Sequence, residues 1–399
     1  MSAAAEPETR NEGTAAAGDD PLRQREAAAY GRRRRVRARL SQAVTAGVAV
    51  TAALLGDRIA SALDTPGPLV LDGTLFALVA LAGFWLAGLP FALAGWRASL
   101  RAGLSRQRFP SWIGDQGKLL AVGAVLAPPL TIGLVAALRE WPRGWWLPVA
   151  AGSLAVELIV SVLAPVVLVP LFAKSHALPP GPLADDLSAL AARSGVRVRA
   201  LRVLATSSKS SASNAFVAGY GPTRRIMLFD TLLGDEPEAE AQLAETRAVL
   251  AHELGHHAHR DLWRLTAASL LATMMTLAVT AYALLHLPEW FTHRRQGAFA
   301  LVPALLVCAG LAQVATTMAQ GAYSRRRERA ADAYGIALIG DGEPFARALE
   351  HLCAVNLAEL RPPRSEQWLG STHPPPYERI ARARSGWKEN PTSGANGAL

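Results

Sequence analysis

Long apolar blocks separated by arginine-rich loops are the feature that most restricts how this chain can fold. Six blocks approach the roughly 20 apolar residues that an α-helix needs to cross a bilayer. A mean hydropathy of +0.18, with 51% hydrophobic and 18% charged residues, is too apolar for a typical soluble enzyme. The sequence therefore predicts a polytopic membrane protein. We place its spans at 41–63, 70–96, 118–138, 145–172, 265–287 and 298–320.

The arginines beside these blocks predict how the spans are oriented. Residues 32–39 contain six arginines directly before the first block, and the 97–118 loop is also basic. Because basic residues concentrate on the cytoplasmic side of membrane proteins, both segments are predicted to be cytoplasmic. Counting spans then places 173–264 and everything after residue 320 on the same side. The net charge of +9 is interpreted as a membrane anchor, and no nucleic-acid partner is expected.

Polar residues interrupt two of the blocks. Gly56, Asp57 and Arg58 break the first block, which makes it the weakest of the six predicted spans. Glu157 lies in the middle of the fourth block. A carboxylate at that depth belongs either to a functional site or to a protonated, hydrogen-bonded packing contact, and the sequence leaves both interpretations open.

A mixed soluble segment separates the fourth span from the fifth. Its pattern predicts a helix at 182–195, strands at 196–206 and 224–233, and a helix at 237–260. The chain as a whole is thus divided into a tail, a four-span bundle, a soluble insert, a pair of spans, a C-terminal part of the same soluble domain and a second tail. The tails are predicted to be disordered. The corresponding ranges are 1–40, 41–172, 173–264, 265–320, 321–384 and 385–399.

The stretch AVLAHELGHHAHRD (248–261) contains four of the nine histidines. In a helix, His252 and His256 are one turn apart on the same face, where their imidazoles can share one metal ion. Glu253 stands beside them, placed to take a proton from a metal-bound water rather than to ligate the metal. This is the pattern of the zincin metallopeptidases. The alternative interpretation is a polar helix end with surface histidines.

A catalytic zinc site with an open position needs a third protein ligand. The segment SRRRERAADAYGIAL (324–338) follows the sixth span, and the topology returns it to the membrane face that carries His252. Glu328 and Asp332 are one helical turn apart in this segment. Glu328 is the favoured third ligand of a single Zn²⁺ per chain; a basic juxtamembrane helix with internal salt bridges is the alternative.

With these residues in place, the chain resembles the membrane zinc metallopeptidases of the Ste24/CAAX prenyl protease 1 type, within the wider M48 group that includes the HtpX proteases. The resemblance runs from about the third span to residue 383. It differs in span number, since eukaryotic Ste24 enzymes have seven. It rests on four stretches in the family's order: SASNAFVAGYG (211–221), HELGH (252–256), SRRRERAAD (324–332) and STHPPPYERI (371–380).

The resemblance implies roles for five further residues. Asp332 would hydrogen-bond a ligand histidine and so fix its tautomer. The backbone at Asn214 and Ala215 would pair with an extended substrate. His373 and Arg379 would lie near the cleft and donate hydrogen bonds to a developing oxyanion or a substrate carboxylate.

The predicted fold is mainly α, a polytopic helical membrane bundle of about six spans with a small α+β zincin-like insert on the cytoplasmic side. The predicted function is a zinc-dependent endopeptidase of the cell membrane, acting on peptides or membrane proteins at the cytoplasmic face. Three alternatives stay open: an HtpX-like quality-control protease, a catalytically silent adaptor with structural zinc, and a channel or transporter. Glu253 argues against the adaptor, because a structural site needs no base.

Overall fold

The computed structural model describes residues 20–63, 68–218, 225–234, 236–369 and 371–385. Its first helix, α1 (Pro21–Leu54), is followed after a bend of 68° by α2 (Gly56–Leu63). The prediction that residues 1–40 are disordered is therefore wrong for residues 21–40, while residues 1–19 lie outside the described part. The reason is a long-range one. Arg35 of α1 pairs with Glu359 and Glu366, more than 300 residues further along the chain.

Three helices that are long and apolar enough to span a bilayer follow the bent pair, at the positions of the spans predicted at 70–96, 118–138 and 145–172, although the third ends at Leu163. They are α3 (Leu69–Arg101), α4 (Phe109–Glu140) and α5 (Trp146–Leu163). A π-helical turn (Ala164–Leu168) joins α5 to the short α6 (Val169–Phe172). The chain then leaves the bundle and enters the insert.

The insert is a four-stranded sheet in the order β1-β2-β4-β3, covered by helices. β2 and β4 pair in parallel, whereas β1 and β3 run antiparallel to their neighbours. The strand predicted at 224–233 ends at Phe229, because Asp230 accepts hydrogen bonds from the backbone of Thr206 and Ser207 and begins a short helix. The elements are β1 (Ser175–Ala177), α7 (Pro182–Arg193), β2 (Ala200–Leu204), β3 (Ala215–Ala218), β4 (Arg225–Phe229), α8 (Asp230–Leu233) and α9 (Glu240–Ala258).

Two more long helices complete the bundle. α10 (Asp261–His286) and α12 (Ala298–Ile339) are separated by α11 (Glu289–Thr292). Five helices of the described chain are long and apolar enough to span a bilayer, and the number reaches the predicted six if the bent α1–α2 pair counts as one span. The C-terminal segment adds α13 (Glu343–Val355), α14 (Arg364–Leu369) and α15 (Pro376–Arg384).

Close contact between α9 and α12 sets the geometry of the site. A Cβ atom on Gly255 would lie 2.9 Å from the carbonyl oxygen of Ala331, and one on Gly335 would lie 3.0 Å from the backbone nitrogen of His252. The two glycines thus allow the helix backbones to touch. The opposite face of α9 is anchored in the core of the insert, since Leu250 is fully buried there. The histidine face of α9 therefore points at α12.

Candidate metal centre

The three residues predicted as metal ligands come together where α9 meets α12. His252 Nε2 lies 3.4 Å from Oε2 of Glu328, and His256 Nε2 lies 3.4 Å from Oε1 of the same carboxylate. His252 and Glu328 are buried and His256 is half-buried. Their ligand atoms all lie within 4.8 Å of one another, which is close enough to share one ion.

The spacing is compatible with one divalent metal ion. An ion bound at about 2.0–2.2 Å separates tetrahedral ligand atoms by about 3.3–3.6 Å, and each imidazole Nε2 lies 3.4 Å from one oxygen of Glu328, Oε2 for His252 and Oε1 for His256. Oε2 of Glu328 is buried, and the ring nitrogens nearest to it are His373 Nδ1 at 2.7 Å and His252 Nε2 at 3.4 Å. Two imidazoles and one carboxylate form a donor set found in catalytic zinc sites.

A carboxylate fixes the orientation of His252, as the resemblance implied. Asp332 Oδ1 lies 2.9 Å from His252 Nδ1, which leaves Nε2 free for a metal. Arg379 donates from Nε and Nη2 to Asp332 at 2.8 and 2.6 Å. Burial of the imidazole would lower the pKa of His252, but the bonds to Asp332 and Glu328 outweigh it and raise that pKa. Arg379 thus acts on the site through Asp332.

A second carboxylate fixes His256 in the same way. Asp261 Oδ2 lies 3.0 Å from His256 Nδ1, and Arg327 Nε donates to the other oxygen at 2.5 Å. Burial would lower the pKa of His256, yet the hydrogen bonds to Asp261 and Glu328 raise it to about 10. Asp261 is itself only 1% exposed. Both histidines therefore present Nε2 to the metal position.

Asp261 was not among the site residues predicted from the sequence. It stands five positions after His256, and a continuous helix would turn it away from that imidazole. The backbone of Arg260 adopts a left-handed conformation with φ 55°, so α9 ends and α10 starts in a new direction. The signal in the sequence was an acidic residue five positions after His256, but the backbone reversal that brings it back to that imidazole is not visible there.

Glu253 borders a small cleft beside the ligands. The cleft holds about 110 Å³ and is lined by Asn214, Glu253, His373 and Arg379 on its polar side and by apolar side chains that include Phe345. Glu253 is half-buried and makes no hydrogen bond or ion pair with any residue that the structure describes. Its carboxylate is therefore free to exchange protons with a bound water.

His373 lies over the ligand carboxylate. Its Nδ1 atom is 2.7 Å from Oε2 of Glu328, and its side chain is 57% exposed. The imidazole therefore borders both the metal position and the solvent side of the cleft. A histidine in this place can donate to an oxyanion that develops on a substrate carbonyl.

The Asn214–Ala215 segment forms the edge of the sheet beside the cleft. Asn356 clamps the preceding residue by accepting from Ser213 N at 3.0 Å and donating to Ser213 O at 3.1 Å. Asn214 O accepts from Phe229 N, and Ala215 begins β3, which is the edge strand. Its outer side has no partner strand within the described ranges, so an extended chain can pair there.

Comparison with known sequences assigns both halves of the chain. Residues 180–386 match peptidase family M48, and residues 26–174 match the description "CAAX prenyl protease N-terminal, five membrane helices". The chain is 25% identical over 302 residues to the "uncharacterized metalloprotease YhfN" of Bacillus subtilis, covering 75% of this chain and 70% of that protein. It is 27% identical to a CAAX prenyl protease 1 homolog of Caenorhabditis elegans, covering 71% and 70%. A protease HtpX homolog of Acidiphilium cryptum is 34% identical over 193 residues, covering 43% and 63%.

A solved structure confirms the fold. The crystal structure of S. mikatae Ste24p matches with a TM-score of 0.79 at 21% identity, covering 94% of this chain and 92% of that one. The predicted helical membrane bundle with an α+β insert is thereby confirmed. Because the M48 match covers more than half of the chain and includes all three candidate ligands, the protein belongs to peptidase family M48 and is a multi-pass membrane metalloendopeptidase.

Proposed function

We propose that the catalytic metal is a single zinc ion held by His252, His256 and Glu328. The observation that carries this proposal is the pair of 3.4 Å nitrogen–oxygen separations on one buried carboxylate. Nitrogen and carboxylate donors in tetrahedral array are the ligands that zinc prefers in hydrolytic sites. Bound zinc would lower the pKa of a water ligand and polarise the carbonyl of the scissile bond.

Glu253 acts as general base. It borders the cleft next to the ligands and has no competing partner among the described residues. Its carboxylate accepts the proton of the attacking water and returns it to the leaving amine, which needs a proton to depart. A positioned base of this kind contributes about 10²–10⁴ to the rate.

His373 and the edge of the sheet bind and orient the substrate. His373, at the solvent side of Glu328, donates to the oxygen of the attacked carbonyl. The outer edge of β3, which begins at Ala215, holds the polypeptide extended through backbone hydrogen bonds, which places little restriction on its side chains. A substrate carbonyl would replace Asn214 Oδ1 as the acceptor of the bond from Ala215 N. Arg379 and Asp332 hold His252 in the tautomer that binds metal.

The substrates are peptides or membrane proteins cut at the cytoplasmic face of the cell membrane. The basic segments support this orientation, since Arg106 of the 97–118 loop donates to Lys209 O of the insert and Arg35 pairs with Glu359 of the peptidase segment. The relatives named CAAX prenyl protease 1 support a lipid-modified, membrane-associated substrate. An HtpX-like role in membrane-protein quality control is the second candidate, and substrate profiling separates the two.

Replacing the base tests the assignment. We expect Glu253→Gln to keep bound metal but to lower kcat for peptide cleavage by about 10²-fold or more, because Glu253 is the only carboxylate among the described residues that line the cleft. Metal content is measured by elemental analysis and cleavage with a quenched fluorescent peptide library. Glu240→Gln, at an exposed position of the same helix, is the matched control and should behave as wild type. Unchanged turnover in Glu253→Gln would reject the mechanism, and metal without any cleavage in the wild type would favour the adaptor.

A further inference from the structure

We propose that the membrane bundle contains a binding site for an anionic phospholipid, remote from the metal centre. The site is a crevice of about 450 Å³ between α1, α2, α3 and α12, here called the distal crevice. Leu306, on its α12 wall, precedes Glu328 by 22 residues on the same helix, which corresponds to about 33 Å. The proposal is thus independent of the proposed catalytic roles.

The distal crevice is apolar and open. Its walls are aliphatic and aromatic side chains such as Phe76 and Leu63, and its volume lies in the range of about 300–1,000 Å³ that is typical of ligand sites. Leu75 and Val79 at its rim are 48% and 71% exposed. A Cβ atom on Gly83, in the α3 wall, would meet no atom within 4 Å. A flexible acyl chain can fill such a space and bury its methylene groups.

One cation stands at this crevice. Arg58 is the sole charged side chain among the described residues that line it, and it is exposed. It makes no side-chain hydrogen bond or ion pair within the described chain. Its neighbour Asp57 pairs instead with His293, at 2.9 Å from Nδ1. Among the described residues, the guanidinium of Arg58 has no anionic partner and is available to an anionic ligand.

The bend between α1 and α2 presents Arg58 in this position. Gly56 packs directly against the ring of His293, where a side chain would overlap the imidazole. The Asp57–His293 pair then ties the start of α2 to the loop before α12. Arg58 is held on a short helix beside the crevice rather than on a mobile loop.

The occupant that matches these features is a phospholipid of the bilayer itself, with an acyl chain in the crevice and its phosphate on Arg58. Arginine is well suited to phosphate because its planar guanidinium donates two parallel hydrogen bonds. Basic side chains beside crevices between membrane helices bind anionic head groups in this way. A net negative lipid is preferred over a zwitterionic one, whose choline group would be repelled by the arginine.

Lipid titration of the purified full-length protein tests the site. We expect native mass spectrometry to show that the wild type retains phosphatidylglycerol over phosphatidylcholine of matched chains. Arg58→Gln should reduce that preference about fivefold, as expected for one basic contact. Gly83→Leu should reduce retention of both lipids, because the leucine occupies the crevice. Gly88→Leu is the control: it lies on the same helix, its Cβ also meets open space, and it is outside the crevice.

Three outcomes would overturn the proposal. Equal retention of the two lipids by the wild type would show that no head-group contact selects the anionic lipid. Identical lipid binding by Gly83→Leu and Gly88→Leu would show that the crevice is not the binding site. Slower cleavage of a membrane-anchored substrate by Gly83→Leu, with lipid binding unchanged, would assign the crevice to substrate instead. A thermal unfolding midpoint like that of wild type confirms that each variant is folded.

Discussion

At the scale of single residues, each histidine ligand is held by a buried carboxylate, and each carboxylate is paired with an arginine. Such support fixes the tautomer and orientation of a metal ligand before the metal arrives. Asp332 was predictable because it lies one helical turn from Glu328. Asp261 was not, because its contact with His256 depends on the backbone reversal at Arg260. The two sets are His252 with Asp332 and Arg379, and His256 with Asp261 and Arg327.

The unpredicted carboxylate gives a prediction. Asp261→Asn keeps the shape of the side chain but weakens its hold on His256, so we expect metal affinity to fall about 10–100-fold. Competition with a chromogenic chelator measures the affinity directly, without reference to turnover. Asp185→Asn, at an exposed position of α7, is the matched control. An Asp261→Asn protein that binds metal as tightly as the control would show that this carboxylate does not orient the ligand.

The raised histidine pKa values predict how metal binding depends on pH. In the metal-free protein the pKa of His256 is about 10, above its ordinary value near 6.5, so the ring is protonated at neutral pH. A metal must displace that proton, and zinc affinity should therefore increase as the pH rises from 6 to 9. The same sign means that protonated His256 stabilises the metal-free fold, fully below pH 6.5, and that this stabilisation is lost as the pH rises through about 10. Calorimetric titrations in buffers of different ionisation enthalpy measure the protons released; net proton uptake would contradict the assignment.

At the scale of elements, the sequence was sufficient to predict the helices α9 and α12 of the site, but not to predict that they cross in contact. The 3.6-residue periodicity and the acidic start of 237–260 predicted α9, and the apolar block followed by SRRRERAAD predicted the two halves of α12. What the pattern did not show is that these halves form one helix, or that glycines let it touch α9. Strand β3 was expected only as an edge near Asn214. Its pairing with β4 depends on contacts that periodicity does not specify.

The crossing gives a prediction of its own. Gly255→Ala would place a methyl group 2.9 Å from the backbone oxygen of Ala331, so α9 and α12 must move apart. We expect a loss of about 1–3 kcal/mol in the free energy of unfolding and weaker metal binding, because His256 and Glu328 sit on opposite helices. Thermal unfolding and chelator competition measure the two effects. Gly310→Ala, where the added Cβ meets open space on α12, should leave metal affinity unchanged.

At the scale of the whole molecule, the N-terminal helix ties the membrane bundle to the peptidase segment. Tyr30 of α1 hydrogen-bonds Ser99 of α3, while Arg23 donates to the carbonyl of Ala354 at the end of α13. The sequence alone suggested a disordered anchor, because six clustered arginines look solvated when their partners are unknown. Those partners lie at the other end of the chain, and local patterns carry no information on such contacts.

This connection can be tested by removing one cation. Arg35→Gln breaks ion pairs of 2.7 and 2.6 Å to Glu359 and Glu366, in which all three side chains are less than one quarter exposed. We expect destabilisation of about 1–3 kcal/mol, between the values for exposed and buried pairs. A lower thermal unfolding midpoint than that of Arg32→Gln, an exposed arginine of the same run, is the measurement. Equal midpoints would show that the Arg35 ion pairs do not help to hold the two parts together.

Because α12 is one continuous helix, it sets the distance between the membrane and the metal position. The apolar part of this helix ends near residue 320, and Glu328 follows eight residues later, a rise of about 12 Å. The helix α12 thus holds the metal position at a fixed distance from the hydrocarbon boundary of the membrane. An extended polypeptide that leaves the bilayer covers that height in about four residues. Proximity to the membrane is therefore built into the covalent geometry of the enzyme, whatever sequence it cuts.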